Sequence, residues 1–552
     1  MEALYKNYSS ITYDEKGLPT SFSLHCPDNF NFAYDVLDAI AAEEPDKRAL
    51  AWCSSKGEER EFSFGEISRL STKTANLFKS CGIVKGTKVM LLLKRHYTYW
   101  YTINALHKLC AVAIPATHML TVKDIRYRIR MAGIDTAVCV GDPDLCRRVK
   151  EAFQAEGKTT TLFCVGQTQE GFLRLDTALE EMPDQMERVE SKLQDPMLLY
   201  FTSGTTGEPK AVLHGFAYPF YHIPTALFWQ GCTPDGLHLS VAETGWAKAA
   251  WGKLYGQWLC HCAIMVYDCQ NLFVSELLNV VEKYKVKTFC APPTVYRNMV
   301  KTGFRTEAFA AVRHCTTAGE DIKATVAESF AKQTGLSIYP GYGQTETGLL
   351  AANLDTPDSA CLGKPIPLYD ICLIDEEENP LPVAPGEMGE VVIRQHDPVF
   401  SGICTAYISD DGEMHDPFDE KGYFHTGDIA SYNEVGKLVF VGRTDDMIKS
   451  AGFRVSPQEV ENVLMRHEQI VDCAVVGVPD SLRGVVIKAF IVLNKDTPAD
   501  EKTKNAILSY AKANLANYKC PRAIEFRESL PKTISDKLRR SVLKAESLKT
   551  PV

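Results

Sequence analysis

Residues 87–110 read TKVMLLLKRHYTYWYTINALHKLC, and they decide the fold class. TKVMLLLKR is an apolar run without alternation, the pattern of a strand buried on both faces. In the segment that follows, Trp100, Ile103, Leu106 and Leu109 fall at helical spacing. AVAIPA (111–116), DTAVCVG (135–141) and TTLFCVG (160–166) are further short apolar runs closed by turn residues. Strand, helix, strand in that order predicts α/β layers around a mostly parallel sheet. The pattern returns near 284–340, where VKTFCAPP is followed by a helical segment and then LSIYPGYG. No short repeat period is present.

Working outward, the texture changes after about Asp355. The stretch 357–394 is rich in Pro and Gly between short apolar runs, which predicts a β-rich subdomain. The last segment changes again. Ser456-Pro457-Gln458-Glu459 has the form of a capping box with Pro at the first helical position, and Val460, Val463 and Leu464 share one face of the helix it opens. CAVVGVP and VVIKAFIVL read as strands, 504–516 as a helix and AIEF as a last strand. These make a small α+β domain of about a hundred residues. GRTDDMIKSAG (442–452), polar and glycine-containing, reads as the joint before it.

At 552 residues, 45% hydrophobic and 24% charged, the chain is too long for one core and has an ordinary globular composition. Its net charge of −10 argues against general nucleic-acid binding. The first residues contain no apolar run of signal-peptide type, and no stretch approaches the ~18 apolar residues of a membrane span. The expected setting is therefore cytoplasmic, with no membrane anchor. The 18 cysteines are scattered through apolar runs and read as thiols of a reducing compartment. Cys260-His261-Cys262, two thiols one residue apart without a matching pair, is a poor zinc site and reads as core.

The chemistry begins at YFTSGTTGEPK (200–210). A Walker A loop needs Gly-Lys followed by Ser or Thr. Here Glu208 and Pro209 separate Gly207 from Lys210, and Ala211 stands where the magnesium-binding hydroxyl belongs. Pro209 has no N–H, so the loop cannot run into a helix as a Walker loop does. What remains is a donor-rich loop: hydroxyls from Thr202, Ser203, Thr205 and Thr206, close backbone approach at Gly204 and Gly207, and the charge of Lys210. A polar turn between two strands is the plain alternative. Four more polar motifs follow at long intervals: GYGQTETG (341–348), HTGD (425–428), GRTDDMIKSAGFR (442–454) and LPKTISDKLRR (530–540).

Taken together and in this order, the motifs resemble those of the adenylate-forming acyl-CoA synthetases, over essentially the whole chain. NFNFAYDVLDAIA (29–41) and ETGWAKAAWGKLYGQW (243–258) are similar to the medium-chain branch of that family. The resemblance implies a large N-terminal adenylation domain over 1–443, built of two α/β subdomains and a β-rich one. It implies a small mobile α+β domain over 444–552, with a hinge at Asp445. The implied activity is ATP-dependent acid:CoA ligation of a medium-chain, branched or aromatic acid, with ATP, Mg2+ and coenzyme A.

By the same resemblance the loop 202–210 clasps the β- and γ-phosphates. Lys537 contacts acid and nucleotide during adenylation. Thr345 donates to the α-phosphate, and Glu346 ligates magnesium, a hard carboxylate for a hard cation. Tyr342, Gly343 and Gln344 complete that motif, and Gly319 and Glu320 of TTAGE (316–320) lie beside adenine. Asp428 accepts from both ribose hydroxyls and Arg443 adds a second ribose contact. Ala451, Gly452 and Phe453 meet the pantetheine arm of CoA. Arg454 faces the active site, and Arg483 and Arg522 contact CoA phosphates. Trp246 and Trp251 wall the acyl pocket, against core tryptophan as the plain reading.

One position departs from the family pattern: Asp536 stands before Lys537 where Gly is usual. A carboxylate there raises the lysine pKa or competes with substrate for the ammonium. Asp536→Gly is expected to raise the adenylation rate modestly, and identical kinetics in the two proteins would show that Asp536 has no influence. Two alternatives stay open at this point: a stand-alone adenylation enzyme loading a carrier-protein thiol, and a non-catalytic acyl- or nucleotide-binding protein. Monomer and homodimer are both compatible with the sequence.

Overall fold

The computed structural model describes residues 2–203, 209–397, 400–409, 411–450, 453–480, 484–532 and 538–549. Gly204, Thr205, Thr206, Gly207, Ala451, Gly452, Arg483, Asp536 and Lys537 lie outside the described residues, as do the side chains of Ser203, Phe453 and Arg454. By internal packing the chain forms two units. One comprises 1–203, 209–370 and 394–424; the other comprises 371–393 and 425–552.

The first unit is the α/β body the opening stretch predicts. TKVMLLLKR yields strand Lys88–Leu92, and the segment after it yields helix Thr98–Lys108. Every residue of that helix is buried, as expected of a helix with core on all sides. Strands Val112–Pro115 and Thr136–Val140 flank Lys88–Leu92 in parallel, and Leu162–Val165 extends the sheet. Pro196–Ser203 joins on the other side, parallel to Val112–Pro115. It then pairs antiparallel with Pro209–Gly215 in a register that sets Thr202 opposite Lys210 and Ser203 opposite Pro209. The loop of YFTSGTTGEPK thus runs from strand to strand, not into a helix. Pro209 takes the first position of a strand, where a missing N–H is tolerated.

A second sheet of this unit orders strands Ile338–Gly343, His314–Ala318, Thr288–Cys290, Leu237–Ser240, Ala263–Asp268 and Arg48–Ser54 side by side, all parallel. Antiparallel strands Leu349–Ala352 and Glu59–Ser63 flank this parallel run. Its core is apolar, with Met265, Phe289, Cys315 and Phe330 fully buried.

The second unit holds the β-rich segment, strands Asp370–Ile374, Met388–Arg394, Tyr423–Tyr432 and Leu438–Arg443 in that order. Strands Ile470–Asp480 and Gly484–Leu493 pair antiparallel, and Ala523–Phe526 adds in parallel. Ser456 caps helix Pro457–Leu464 by accepting from the Glu459 N–H at 3.2 Å. Two sequence expectations shift. The helix predicted over 504–516 is Glu501–Asn514, because Asp500 caps it by accepting from the Thr503 N–H at 2.8 Å. The polar joint is only partly a loop, since Ile448–Ser450 pairs with Phe453–Val455 in a short hairpin.

Candidate functional site

Loops leaving the carboxyl ends of parallel strands are where α/β sheets place ligands. In the second sheet Ser240, Cys290 and Thr316 lie level across three strands, and Ala318 lies level with Gly341 on the fourth. Three predicted stretches therefore emerge at one edge: 241–247 with Trp246, Gly319–Glu320, and Tyr342–Glu346. Gly319 has φ +103°, a conformation that suits glycine, and the Lys248 ammonium donates to the adjacent Ala318 carbonyl.

Gly343 is required by space. A Cβ there would fall 2.1 Å from the Gly348 carbonyl oxygen and 2.5 Å from Cη2 of Trp251. Trp251, on helix Lys248–Lys253 and only 6% exposed, thus lies directly on the YGQTE segment. Trp246, half-buried, has its N–H bonded to the Glu243 carbonyl at 3.2 Å.

The backbone of Thr345 and Glu346 is held from two sides. His214, on strand Pro209–Gly215, donates from Nε2 to the Thr345 carbonyl at 2.9 Å, and the Cys404 N–H donates to the Glu346 carbonyl at 2.6 Å. The first bond ties strand Pro209–Gly215 to the YGQTE segment. Both side chains are half-buried, as are those of Tyr342 and Gln344. At the base of the hairpin, Lys210 is exposed with its ammonium 5.8 Å from the Tyr407 ring centroid, and Tyr127 donates to the Pro209 carbonyl at 3.1 Å.

Sequence reasoning missed what lies behind this edge. His107, His214 and His222 are buried, and burial pushes each imidazole down to about 3 from an ordinary 6.5. Their sign is fixed. The unfolded imidazoles take up protons below about 6.5 while the folded ones stay neutral, so the unfolded state binds more protons and is favoured as pH falls. We expect the thermal midpoint to drop steadily between pH 6.5 and 4. A midpoint independent of pH in that window, followed by circular dichroism, would contradict this.

The second unit gathers the residues expected at the ribose and the hinge. Asp428 and Arg443 are directly opposed on strands Tyr423–Tyr432 and Leu438–Arg443. The Arg443 guanidinium donates to Asp428 Oδ1 at 3.0 Å and to the Thr426 carbonyl at 3.1 Å, and its Nε lies 3.5 Å from Asp445 Oδ1. Asp428 is 5% exposed, so its pairing is only partly screened. Lys544 donates to the Asp445 carbonyl at 3.0 Å and to Asp446 at 3.1 Å. Nη2 of Arg540 donates to both oxygens of the buried Glu461 at 2.8 and 2.6 Å, while Nη1 donates to Asp446 at 3.4 Å. Arg522 lines a pocket of about 160 Å³ with Ser450, Asn517 and Tyr518.

Comparisons with known proteins identify the family and the fold. Residues 37–403 match the AMP-binding enzyme family, and 459–537 match the AMP-binding enzyme C-terminal domain. The chain is 34% identical to acyl-coenzyme A synthetase ACSM3, mitochondrial, of Homo sapiens, over 99% of this chain and 93% of that protein. It is 35% identical to acyl-coenzyme A synthetase ACSM4, mitochondrial, of Homo sapiens, over 94% and 90%. Among solved structures, the anthranilate CoA ligase AuaEII in complex with anthranoyl-AMP superposes with a TM-score of 0.82 at 25% identity, covering 95% of this chain and 98% of that one. ATP-bound MatB from Rhodopseudomonas palustris shares the fold with a TM-score of 0.81 at 20% identity, over 94% and 99%.

Proposed function

The chain belongs to the AMP-binding enzyme family, and from that premise we propose that it activates a medium-chain, branched or aromatic carboxylic acid as acyl-AMP and passes the acyl group to coenzyme A. The observation that carries this reading is the common edge where Gly319–Glu320, Tyr342–Glu346 and the Trp246–Trp251 stretch meet.

The chemistry has two steps. A carboxylate oxygen forms a bond to the α-phosphorus of ATP while the bond to the bridging oxygen breaks and pyrophosphate leaves. The CoA thiolate then attacks the acyl carbon and AMP departs. The first step brings two anions together, so the site must neutralise both and hold them in line. We assign that work to Lys537, with the hydroxyl of Thr345 on the α-phosphate. The loop 202–210 takes the leaving phosphates. Gly319 and Glu320 border the adenine, and Asp428 and Arg443 take the ribose. Glu346 would hold Mg2+, which supplies charge neutralisation to the phosphates; a half-buried carboxylate beside phosphate-binding hydroxyls fits a hard cation.

For the second step, Ala451, Gly452 and Phe453 would meet pantetheine and Arg454 would face the site. Arg483 and Arg522 would meet CoA phosphates, and the pocket at Arg522 offers room for one. The hinge is placed at Asp445, with domains over 1–443 and 444–552. No helix of the described residues is long and apolar enough to cross a membrane. Of the 18 cysteines all but Cys26 and Cys81 are buried, which suits a reducing compartment.

The test is AMP release from ATP across carboxylic acids from acetate to decanoate, with 2-methylbutyrate and benzoate, with and without CoA. AMP formation that requires both CoA and one class of acid is the expected result. Pyrophosphate exchange without CoA-dependent turnover would point instead to a carrier-protein acceptor. Silence across the panel would count against the ligase reading.

A further inference from the structure

Behind Trp251 lies a group of buried polar side chains that the two steps above do not use. The 3-10 turn Tyr218–His222 follows strand Pro209–Gly215 and brings His222 within 6.3 Å of Trp251, ring centroid to ring centroid. Tyr218 lies 4.5 Å from His222 on one side and 3.9 Å from His214 on the other. Tyr255 stacks over His222 at 6.1 Å. His222 is 0% exposed, Tyr218 1% and Trp251 6%.

These side chains carry hydrogen-bonding atoms without partners. Neither ring nitrogen of His222 has one, nor do the Tyr218 hydroxyl and the indole N–H of Trp251. The other buried histidines among the described residues each bond through one nitrogen: His107 to Tyr255, His214 to Thr345, His238 to Thr288 and His261 to Leu4. His222 alone bonds through neither. Buried polar groups are nearly always paired, and an orphaned one calls for a partner such as a ligand, a water or an ion, or for strain. The group is also next to the reaction centre. Trp251 touches Gly343, and His214, packed against Tyr218, holds the carbonyl of Thr345.

We propose that His222, Tyr218 and Trp251 select an acid that carries a neutral hydrogen-bonding substituent, such as a hydroxyl or amino group, beyond its carboxylate. The inference rests on the ligase reading and narrows it. A purely hydrocarbon chain would seal these atoms away from any partner, which a site of this composition resists. A second carboxylate is disfavoured as well. The rings around His222 are those of Tyr218, Tyr255 and Trp251, all neutral, and burial keeps His222 itself uncharged, so these rings offer a buried anion no countercharge.

The experiment compares kcat/KM for CoA-dependent AMP formation within matched pairs: hexanoate against 3- and 6-hydroxyhexanoate, and benzoate against 2-aminobenzoate and 3- and 4-hydroxybenzoate. At least one polar acid should exceed its hydrocarbon partner by roughly tenfold or more, the scale on which a site built to bond a polar group rejects the analogue lacking it. Tyr218→Phe and His222→Phe, which keep a ring in place, should bring that ratio towards one or invert it. A protein that merely needed the polar groups for packing would lose both rates in parallel and keep the ratio. Preference for the hydrocarbon member of every pair, or a ratio unmoved by both variants, would overturn the inference while leaving the ligase reading intact. No AMP with any acid would overturn the ligase reading itself, and this inference with it.

Discussion

Lys537→Ala should lower the rate of acyl-adenylate formation by about 10²–10³-fold, the scale of losing one positioned charge-stabilising donor from a transition state. Two anions must approach, and no other residue assigned to the acid–phosphate contact carries a positive charge. The loss should be selective. Once the mixed anhydride exists, the CoA sulfur is the nucleophile and the acyl group is already activated. Thioester formation from acyl-AMP supplied directly should therefore survive in the variant. Pyrophosphate exchange reports the first half-reaction, and thioester yield from synthetic acyl-AMP reports the second. Equal losses in both would mean that Lys537 supports the fold or the second step rather than the first.

Arg540→Ala is expected to destabilise the second unit by about 3 kcal/mol or more, because it strands a buried carboxylate. Glu461 is 9% exposed, accepts from Nη2 of Arg540 with both carboxylate oxygens and also accepts from the Val475 N–H at 2.7 Å. Burial holds its carboxyl above the ordinary range against the opposing charge of Arg540. Removing the arginine leaves that desolvation uncompensated. Glu461→Gln in the Arg540→Ala background should recover a large part of the loss, because the amide oxygen still serves Val475 while the charge is gone. Urea unfolding of the four proteins of this cycle measures the coupling. A single variant within about 0.5 kcal/mol of the parent, the usual range for surface changes, would show the pair to be dispensable.

The parts of the fold that were readable share a physical cause. TKVMLLLKR and AVAIPA are buried on both faces, so their apolar runs are uninterrupted and announce themselves. Ser456 and Pro457 mark a helix start by local chemistry alone. Strand His314–Ala318, by contrast, reads HCTTA. Its threonines are buried at 1% exposure, and nothing in a five-residue run with three polar members says so. The candidate site was readable where the proposed function demands a contiguous motif, as in YGQTE and HTGD. It was not readable where residues meet only by folding. His214, Tyr218, His222 and Trp251 are spread over 38 positions with no diagnostic spacing, and only the turn after strand Pro209–Gly215 brings them together. The need for Gly343 is partly of the same kind, since one of the atoms it avoids belongs to Trp251 and the other to the nearby Gly348 carbonyl.

Arg443 is bonded to Asp428 at 3.0 Å while its Nε stands 3.5 Å from Asp445. With the ribose and hinge roles proposed for those two carboxylates, one guanidinium serves both a ligand site and a pivot. Thermodynamic linkage then makes the traffic two-way: whatever factor nucleotide binding exerts on the rotation about Asp445, the rotation exerts on nucleotide affinity. The enzyme would hold ATP and release AMP with different grips without altering a single atom of the ribose contact other than the angle of its arginine.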